Sequence, residues 1–169
     1  MPAFDDIIDA NQTYAAGFDA GDLAAQPRLR LAILTCMDCR IDTAAIFGLV
    51  AGDAHILRNA GARASDDAIR SLIKSVHQLD VERIAVVHHT DCGAAKIELG
   101  QLRATVEANT GRSPDEIDFR LIGDPDQTLL DDVERLRTDA YLPPGTQLAG
   151  FMYDVHTGRL DPRVETEVS

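Results

Sequence analysis

The sequence has no tryptophan, few cysteines and too little positive charge to balance its acidic residues. Its 169 residues include 28 acidic and 16 basic side chains, which give a formal net charge of −12 at pH 7. The basic residues are scattered, so they form no continuous surface for a phosphate backbone or an anionic membrane. We therefore expect neither a nucleic acid nor a membrane as a partner.

Long apolar runs are also missing. No segment approaches the roughly 20 apolar residues of a transmembrane helix, and the stretch Met1–Asp6 is acidic where a secretory signal would be basic. These features predict a cytoplasmic protein, in which thiols stay reduced. Cys36, Cys39 and Cys92 are then better explained as metal ligands or reactive thiols than as disulfide partners.

What the sequence does contain is an alternation of short apolar runs with segments of helical periodicity. Strands are predicted over residues 29–35, 54–57, 83–88 and 147–155, with a short returning strand at Arg159-Leu160. This order predicts an α/β fold in one domain, with a mainly parallel central sheet flanked by helices. Ligands in such folds gather beyond the carboxyl ends of the strands. The loops after the first three strands should therefore share one site.

The helices are predicted from capping residues and apolar stripes. Asp42 or Thr43, Ser65 and Asp124 stand where N-caps are expected, and Pro125 suits a first helical position. Residues 3–18 form a further amphipathic helix ahead of the first strand. Its apolar face either packs on the core of its own chain or lies across a partner subunit, and the sequence leaves both interpretations open.

Two loops carry residues that bind metals. Cys36-Met37-Asp38-Cys39-Arg40 follows the first strand, and His89-Thr90-Asp91-Cys92 follows the third. Thiolate and imidazole ligands together indicate zinc. The residues alone allow a catalytic zinc with an open position, a closed structural site that includes Cys39, or a Cys-x-x-Cys redox pair. The closed site leaves Asp38 and Arg40 without a role, and the redox pair leaves His89 and Cys92 unused.

The order of these motifs resembles the β-class carbonic anhydrases, in particular a group of short bacterial members. The resemblance rests on Cys36-x-Asp38-x-Arg40 followed by His89-x-x-Cys92. It extends to Arg58-Asn59-Ala60-Gly61 after the second strand and to the final strand and hairpin over residues 150–160, so it covers nearly the whole chain.

The resemblance implies a ligand set and a catalytic pair. Cys36, His89 and Cys92 would hold one Zn²⁺ per subunit, and Asp38 and Arg40 would form the catalytic dyad. Asp38 would become a fourth ligand in a closed state only. Residues of the pocket and its surroundings would be Asn59, Ala60, Gly61 and Gly93.

The implied reaction is the reversible hydration of carbon dioxide to bicarbonate and a proton by zinc-bound hydroxide. Hydrolysis of carbonyl sulfide or carbon disulfide on the same fold is the alternative, and a non-catalytic zinc or redox-sensing module is a rival from another class. The family implies a homodimer, possibly a tetramer. Residues 1–28 would be an arm and linker that pack on the partner, and residues 29–169 would be the zinc-binding catalytic domain.

Three neighbours of the predicted ligands are interpreted as structural. Cys39 stands where the family usually carries a small residue, and we expect it to behave as a small buried hydrophobe. His88 should face away from His89, because consecutive strand residues point to opposite faces, and should be a packed, hydrogen-bonded core histidine. Asp91 is expected to hydrogen-bond local backbone.

Overall fold

The computed structural model of the chain describes residues 3–169, so the first two residues of the predicted arm lie outside the described part. Ten helices and strands are defined there, besides 3-10 turns at Ala60–Ala62 and Gly93–Lys96. In chain order they are α1 (Asp5–Ala15), β1 (Leu31–Cys36), α2 (Thr43–Phe47), β2 (Ala54–Asn59), α3 (Asp66–Gln78), β3 (Arg83–His89), α4 (Leu99–Thr110), α5 (Pro125–Arg137), β4 (Gln147–Tyr153) and β5 (Leu160–Glu167).

Within the described residues, one five-stranded sheet has the order β2-β1-β3-β4-β5. β1 runs parallel to β2 and β3, and β3 runs parallel to β4, which confirms the mainly parallel sheet. β5 is antiparallel to β4 and lies at the edge. It is longer than the short returning strand that was predicted. β5 pairs along all of β4, with a register shift between Gly150 and Phe151, and its polar residues gave no apolar run to recognise.

The predicted helix starts are confirmed by side-chain caps. Asp42 accepts a hydrogen bond from the Ala45 amide at 3.1 Å, and Asp124 accepts one from the Gln127 amide at 2.8 Å. Ser65 caps α3 in the same way. Each cap satisfies an amide that has no partner within the helix and is worth about 1 kcal/mol.

One face of the sheet is covered by α3 and α5. The core on this side includes Leu34 and Val86 of the sheet, Leu72 of α3 and Leu129 of α5, all fully or almost fully buried. Burying one such side chain stabilises the fold by roughly 1.5–3 kcal/mol. This face therefore anchors the strands whose ends carry the predicted metal ligands.

The other face is only partly covered within the chain. α2 and the two 3-10 turns pack over Ile33 and Val87, but beside them a groove of about 670 Å³ remains, lined in part by Leu31, Phe47 and Phe151. α1 has no buried residue, and Ile7 is 58% exposed. The apolar face of α1 is thus not packed on its own core. No helix among residues 3–169 has the length and apolarity needed to cross a bilayer.

Candidate metal centre

Two neighbouring parallel strands deliver the predicted ligands to one edge of the sheet. β1 ends at Cys36 and β3 ends at His89, while Cys92 lies three residues further along the loop. All three residues are buried, and their ligand atoms lie within 4.8 Å of one another. The parallel pairing brings these strand ends together, as the order of elements predicts.

The geometry of the group fits a tetrahedral metal ion. The sulfur atoms of Cys36 and Cys92 are 3.9 Å apart, close to the about 3.8 Å expected for two thiolates each 2.3 Å from one zinc ion. His89 Nδ1 donates to the Thr90 carbonyl at 2.9 Å, so Nε2 carries the lone pair. Nε2 is buried and has no hydrogen-bond partner among the described residues. It is the atom that a metal would satisfy.

The Cys36 and Cys92 sulfur atoms are close enough for a hydrogen bond between them. A hydrogen bond from Cys92 lowers the pKa of the Cys36 thiol, and the Gly61 amide adds a weaker contact to the same sulfur at 3.4 Å. The neighbouring Cys36 sulfur and burial raise the pKa of Cys92. A divalent cation between the sulfurs would favour the thiolate form of both.

Asp38 and Arg40 form a two-point ion pair beside this group. Arg40 Nε and Nη2 donate to the two carboxylate oxygens of Asp38 at 2.9 and 2.7 Å, and the Arg40 amide donates to one of them. These bonds from Arg40 hold the pKa of Asp38 well below its usual range. Asp38 Oδ2 lies 3.9 Å from His89 Nε2, so the carboxylate borders the place where a metal would sit.

The other edge of the Arg40 guanidinium contacts Asp91, which corrects the expectation that Asp91 binds local backbone. Arg40 Nη1 donates to Asp91 Oδ2 at 2.8 Å, and Nη2 donates to the Asp91 carbonyl at 3.0 Å. Lys96 pairs with the second carboxylate oxygen. Asp91 has a φ of 56°, and this left-handed turn aims both groups at Arg40. The signal available in the sequence was that Asp91 lies between the predicted ligands His89 and Cys92.

The loop after β2 supports the loop after β1. Arg58 donates to the carbonyls of Cys36 and Asp38, at 3.0 and 2.6 Å, a role that the sequence reasoning missed. Asn59, a predicted pocket residue, instead clasps the backbone of Arg63 through both ends of its side-chain amide, at 2.7 and 2.8 Å.

The remaining predicted pocket residues lie in the two 3-10 turns. Gly61 is buried with a φ of 81°, and a Cβ there would come within 2.9 Å of Ile122 Cδ1. Ala60 and Gly93 are exposed, and Gly93 has open space beside it. Among these small residues, Gly61 is the one that cannot carry a side chain without a steric conflict, and it lies next to the Cys36 sulfur.

Cys39 and His88 lie outside the ligand group. Cys39 is exposed, so the expectation of a small buried hydrophobe is wrong, because the chain turns outward after Asp38. His88 is 2% exposed and faces α5, where its Nε2 lies 3.3 Å from an Asp132 oxygen. It is a packed core histidine, as predicted from the alternation along β3, but the expectation that it is hydrogen-bonded is wrong, because neither ring nitrogen has a hydrogen-bond partner among the described residues. The geometry therefore does not form a closed site that includes Cys39.

A mainly parallel α/β sheet that carries a Cys-His-Cys group able to hold a metal ion, with a carboxylate–guanidinium pair at the same edge, is typical of an enzyme. The family model described as "Carbonic anhydrase" matches residues 31–117. The chain is 34% identical over 161 residues to Beta-carbonic anhydrase 1 of Mycobacterium tuberculosis, which covers 95% of this chain and 98% of that protein. The chain belongs to the β-carbonic anhydrase family and is an enzyme of that family.

Two further proteins are similar to the chain. The crystal structure of a carbonic anhydrase from Streptococcus mutans matches with a TM-score of 0.89 and 38% identity, over 100% of this chain and 99% of that one. A carbon disulfide hydrolase from Acidianus is 34% identical over 155 residues, covering 78% of this chain and 76% of that protein. The fold is thus shared with enzymes named for two different substrates.

Proposed function

We propose that the protein catalyses the reversible hydration of carbon dioxide, with one zinc ion held by Cys36, His89 and Cys92. The observation that carries the proposal is the buried His89 Nε2, which has no hydrogen-bond partner in the described residues and faces two sulfurs at zinc-like spacing. When bound, zinc would act as a Lewis acid that lowers the pKa of water toward about 7. Three protein ligands would leave one position for that chemistry.

Asp38 and Arg40 would orient the attacking oxygen. Because Arg40 holds the Asp38 carboxylate ionised, Asp38 can accept a hydrogen bond but cannot donate one. A water or hydroxide beside His89 Nε2 would therefore point its hydrogen at Asp38 and its lone pair away, toward carbon dioxide. Positioning of this kind contributes to catalysis by limiting the reacting groups to productive orientations.

In the proposal, the Asp38–Arg40 pair favours an open resting state, in which Asp38 is not a metal ligand. For Asp38 to become a fourth metal ligand, the carboxylate would have to leave both of its bonds to the Arg40 side chain. The Asp91 contact keeps the guanidinium in place on the far side. Closure through Asp38 thus costs a charge-assisted, two-point interaction, which favours the open form wherever the Asp38–Arg40 pair is intact.

Hydrolysis of carbon disulfide or carbonyl sulfide is the second candidate, because the Acidianus relative is named a carbon disulfide hydrolase. Carbon dioxide is preferred here, since the mycobacterial carbonic anhydrase matches this chain over nearly its whole length. The deciding experiment measures hydration of carbon dioxide and hydrolysis of both sulfur compounds by the zinc protein. Asp38→Asn should lose at least about 100-fold in carbon dioxide hydration, and Asp67→Asn, at an exposed site, is the control. A protein inactive on all three substrates would support the non-catalytic module.

The proposed assembly is a homodimer, with residues 1–28 as an arm on the partner and residues 29–169 as the catalytic domain. The exposed apolar residues of the described part of the arm include Phe4, Ile7 and Ile8. The groove beside Phe47 and Phe151 offers an apolar surface of matching character. A tetramer is an alternative, and the cytoplasm stays the predicted compartment.

A further inference from the structure

α5 carries an acidic residue, Asp132, that lies in the hydrophobic core. The residue is 2% exposed, and its neighbours Leu129 and Val133 pack on the sheet. Burial would raise the pKa of Asp132, but the nearby His88 ring and the hydrogen bond from Arg63 outweigh it, so its pKa lies below the ordinary value. Asp132 is therefore a buried carboxylate.

Each oxygen of this carboxylate has a defined partner. Asp132 Oδ1 accepts the Ala64 amide at 3.0 Å, and Oδ2 accepts Arg63 Nε at 2.7 Å. Oδ2 also lies 3.3 Å from His88 Nε2. A buried ion pair rarely adds net stability over well-packed apolar residues, because desolvation offsets the attraction. The contacts of Asp132 are better explained by the segments of the chain that they hold in place.

The segment that they hold leads directly to the metal centre. Arg63 and Ala64 follow the 3-10 turn that contains Gly61, and the Asn59 side chain clasps the backbone of Arg63 from the other end of that turn. The turn is thus fixed at both ends. In this position the Gly61 amide donates to Cys36 Sγ at 3.4 Å.

Asp132 is also connected to the predicted ligands through β3. His88, which lies against Asp132, is the residue before the predicted ligand His89, and its ring fills the opposite face of the strand. Asp132 therefore touches a group next to His89 and a segment that contacts Cys36. Hydrogen bonds to groups around a metal site orient the ligands and tune their donor strength.

We propose that Asp132 is a positioning residue of the metal centre. From α5 it holds the 59–64 turn and the His88 side of β3, and thereby sets the donor geometry of Cys36 and His89. The inference rests on the proposed zinc function but makes a separate claim, since Asp132 touches neither the substrate nor the predicted metal ligands.

The test compares Asp132→Asn with Asp131→Asn in the full-length protein. Asp131 is the adjacent, exposed acid, whose side chain accepts only from Gln127 among the described residues. Three properties are measured on protein that circular dichroism shows to be folded: zinc affinity against a competing chelator, the visible spectrum after cobalt substitution, and kcat and KM for carbon dioxide. The cobalt spectrum reports ligand geometry, which a loss of global stability alone would not change.

Asp132→Asn should lower zinc affinity about tenfold, shift the sulfur-to-cobalt bands and reduce kcat with little change in KM, and Asp131→Asn should match the parent protein. If Asp132→Asn does not fold, Arg63→Lys replaces it, because lysine keeps the charge but loses the Nε contact. Unchanged zinc affinity and cobalt spectrum in the folded variant would overturn the inference. An inactive parent protein with a normal zinc site would instead reject the proposed function and leave the positioning role measurable.

Discussion

Arg40 holds both carboxylate oxygens of Asp38 through its side chain, at 2.7 and 2.9 Å. The pairing leaves Asp38 Oδ2 3.9 Å from His89 Nε2, beside the proposed metal position but oriented by the arginine. Because a second acid, Asp91, contacts the opposite edge of the guanidinium, Arg40 cannot follow Asp38 without losing that contact. In the proposed mechanism, the state of the site would therefore depend on Arg40, which is not a predicted metal ligand.

Replacing Arg40 with methionine should reduce kcat for carbon dioxide by about 100-fold, with zinc still bound. Without the guanidinium, the backbone amide of residue 40 is the one remaining contact of the Asp38 carboxylate with that residue, so the carboxylate is less firmly oriented and its pKa should rise toward the ordinary value. Stopped-flow hydration assays and zinc analysis of the same sample measure both effects. Arg70→Met, at an exposed ion pair on α3, is the matched control. Full activity of Arg40→Met would contradict the dyad.

Cys39→Ala should keep one zinc per subunit, whereas Cys92→Ala should lose most of it. Cys39 is exposed and outside the ligand group, while Cys92 Sγ is 3.9 Å from Cys36 Sγ. Elemental analysis after dialysis against a weak chelator distinguishes the two. Loss of zinc from Cys39→Ala would support the alternative of a closed structural site in which Cys39 is a ligand.

Gly61→Ala should destabilise the fold by about 1–2 kcal/mol, the cost of a left-handed residue with a side chain, plus a steric contribution. The steric part arises because a Cβ would lie 2.9 Å from Ile122 Cδ1. Gly158→Ala is the control, since its φ is also positive, at 73°, and its surroundings are open. Urea unfolding measures both free energies. Equal losses for the two variants would show that Ile122 yields without cost.

The stabilising effect of Asp53 should disappear in acid. The Arg28 guanidinium, with help from the Val50 amide, lowers the pKa of Asp53 in the folded chain. The unfolded pKa is about 3.9, so the carboxylate stabilises the fold fully above that pH and progressively less as the pH falls through the folded value. Asp53→Asn should therefore melt a few degrees lower than the parent at pH 7.

The gap in melting temperature should shrink as the pH approaches 3. Thermal unfolding followed by circular dichroism at several pH values measures it. Asp115→Asn, at an exposed site, should show no such dependence. A gap for Asp53→Asn that stays constant down to pH 3 would contradict the linkage.

Ile7→Asp should weaken or abolish the proposed dimer. Ile7 is 58% exposed on α1, and a carboxylate at this position would have to be desolvated in an apolar interface. Sedimentation velocity over a range of concentrations measures the assembly. Gln12→Asp adds the same charge to an exposed position of the same helix and serves as the control. A monomeric parent protein would reject the proposed assembly itself.

Much of the fold and the ligand group could be predicted because the signals are local or topological. Apolar runs mark β1 and β3, and caps such as Asp42 and Ser65 mark helix starts within a turn of the chain. Parallel strands bring their carboxyl ends to one edge, so Cys36 and His89 had to approach each other. Of β5, only the start at Leu160 was predicted, since an edge strand with polar residues has no apolar run.

The supporting residues could not be predicted from local patterns. Asp132 stands in an acidic, amphipathic helix where Asp131 and Asp132 look alike, and only the rotation of α5 on the sheet buries one and exposes the other. Asp91 contacts Arg40 because a left-handed backbone turn redirects its side chain. Cys39 is exposed because the loop turns outward, although its spacing matches a metal hook.

By itself, the sequence determined the alternating order of strands and helices and the residues available as ligands, because hydrophobic periodicity and side-chain chemistry are properties of short segments. The tertiary structure alone decided that Cys39 is exposed, that Asp91 and Asp132 pair with Arg40 and Arg63, and that the face of α1 remains uncovered within the chain. These outcomes depend on how whole elements dock over long separations in sequence. That docking is set by the packing of the complete core, which no short segment encodes.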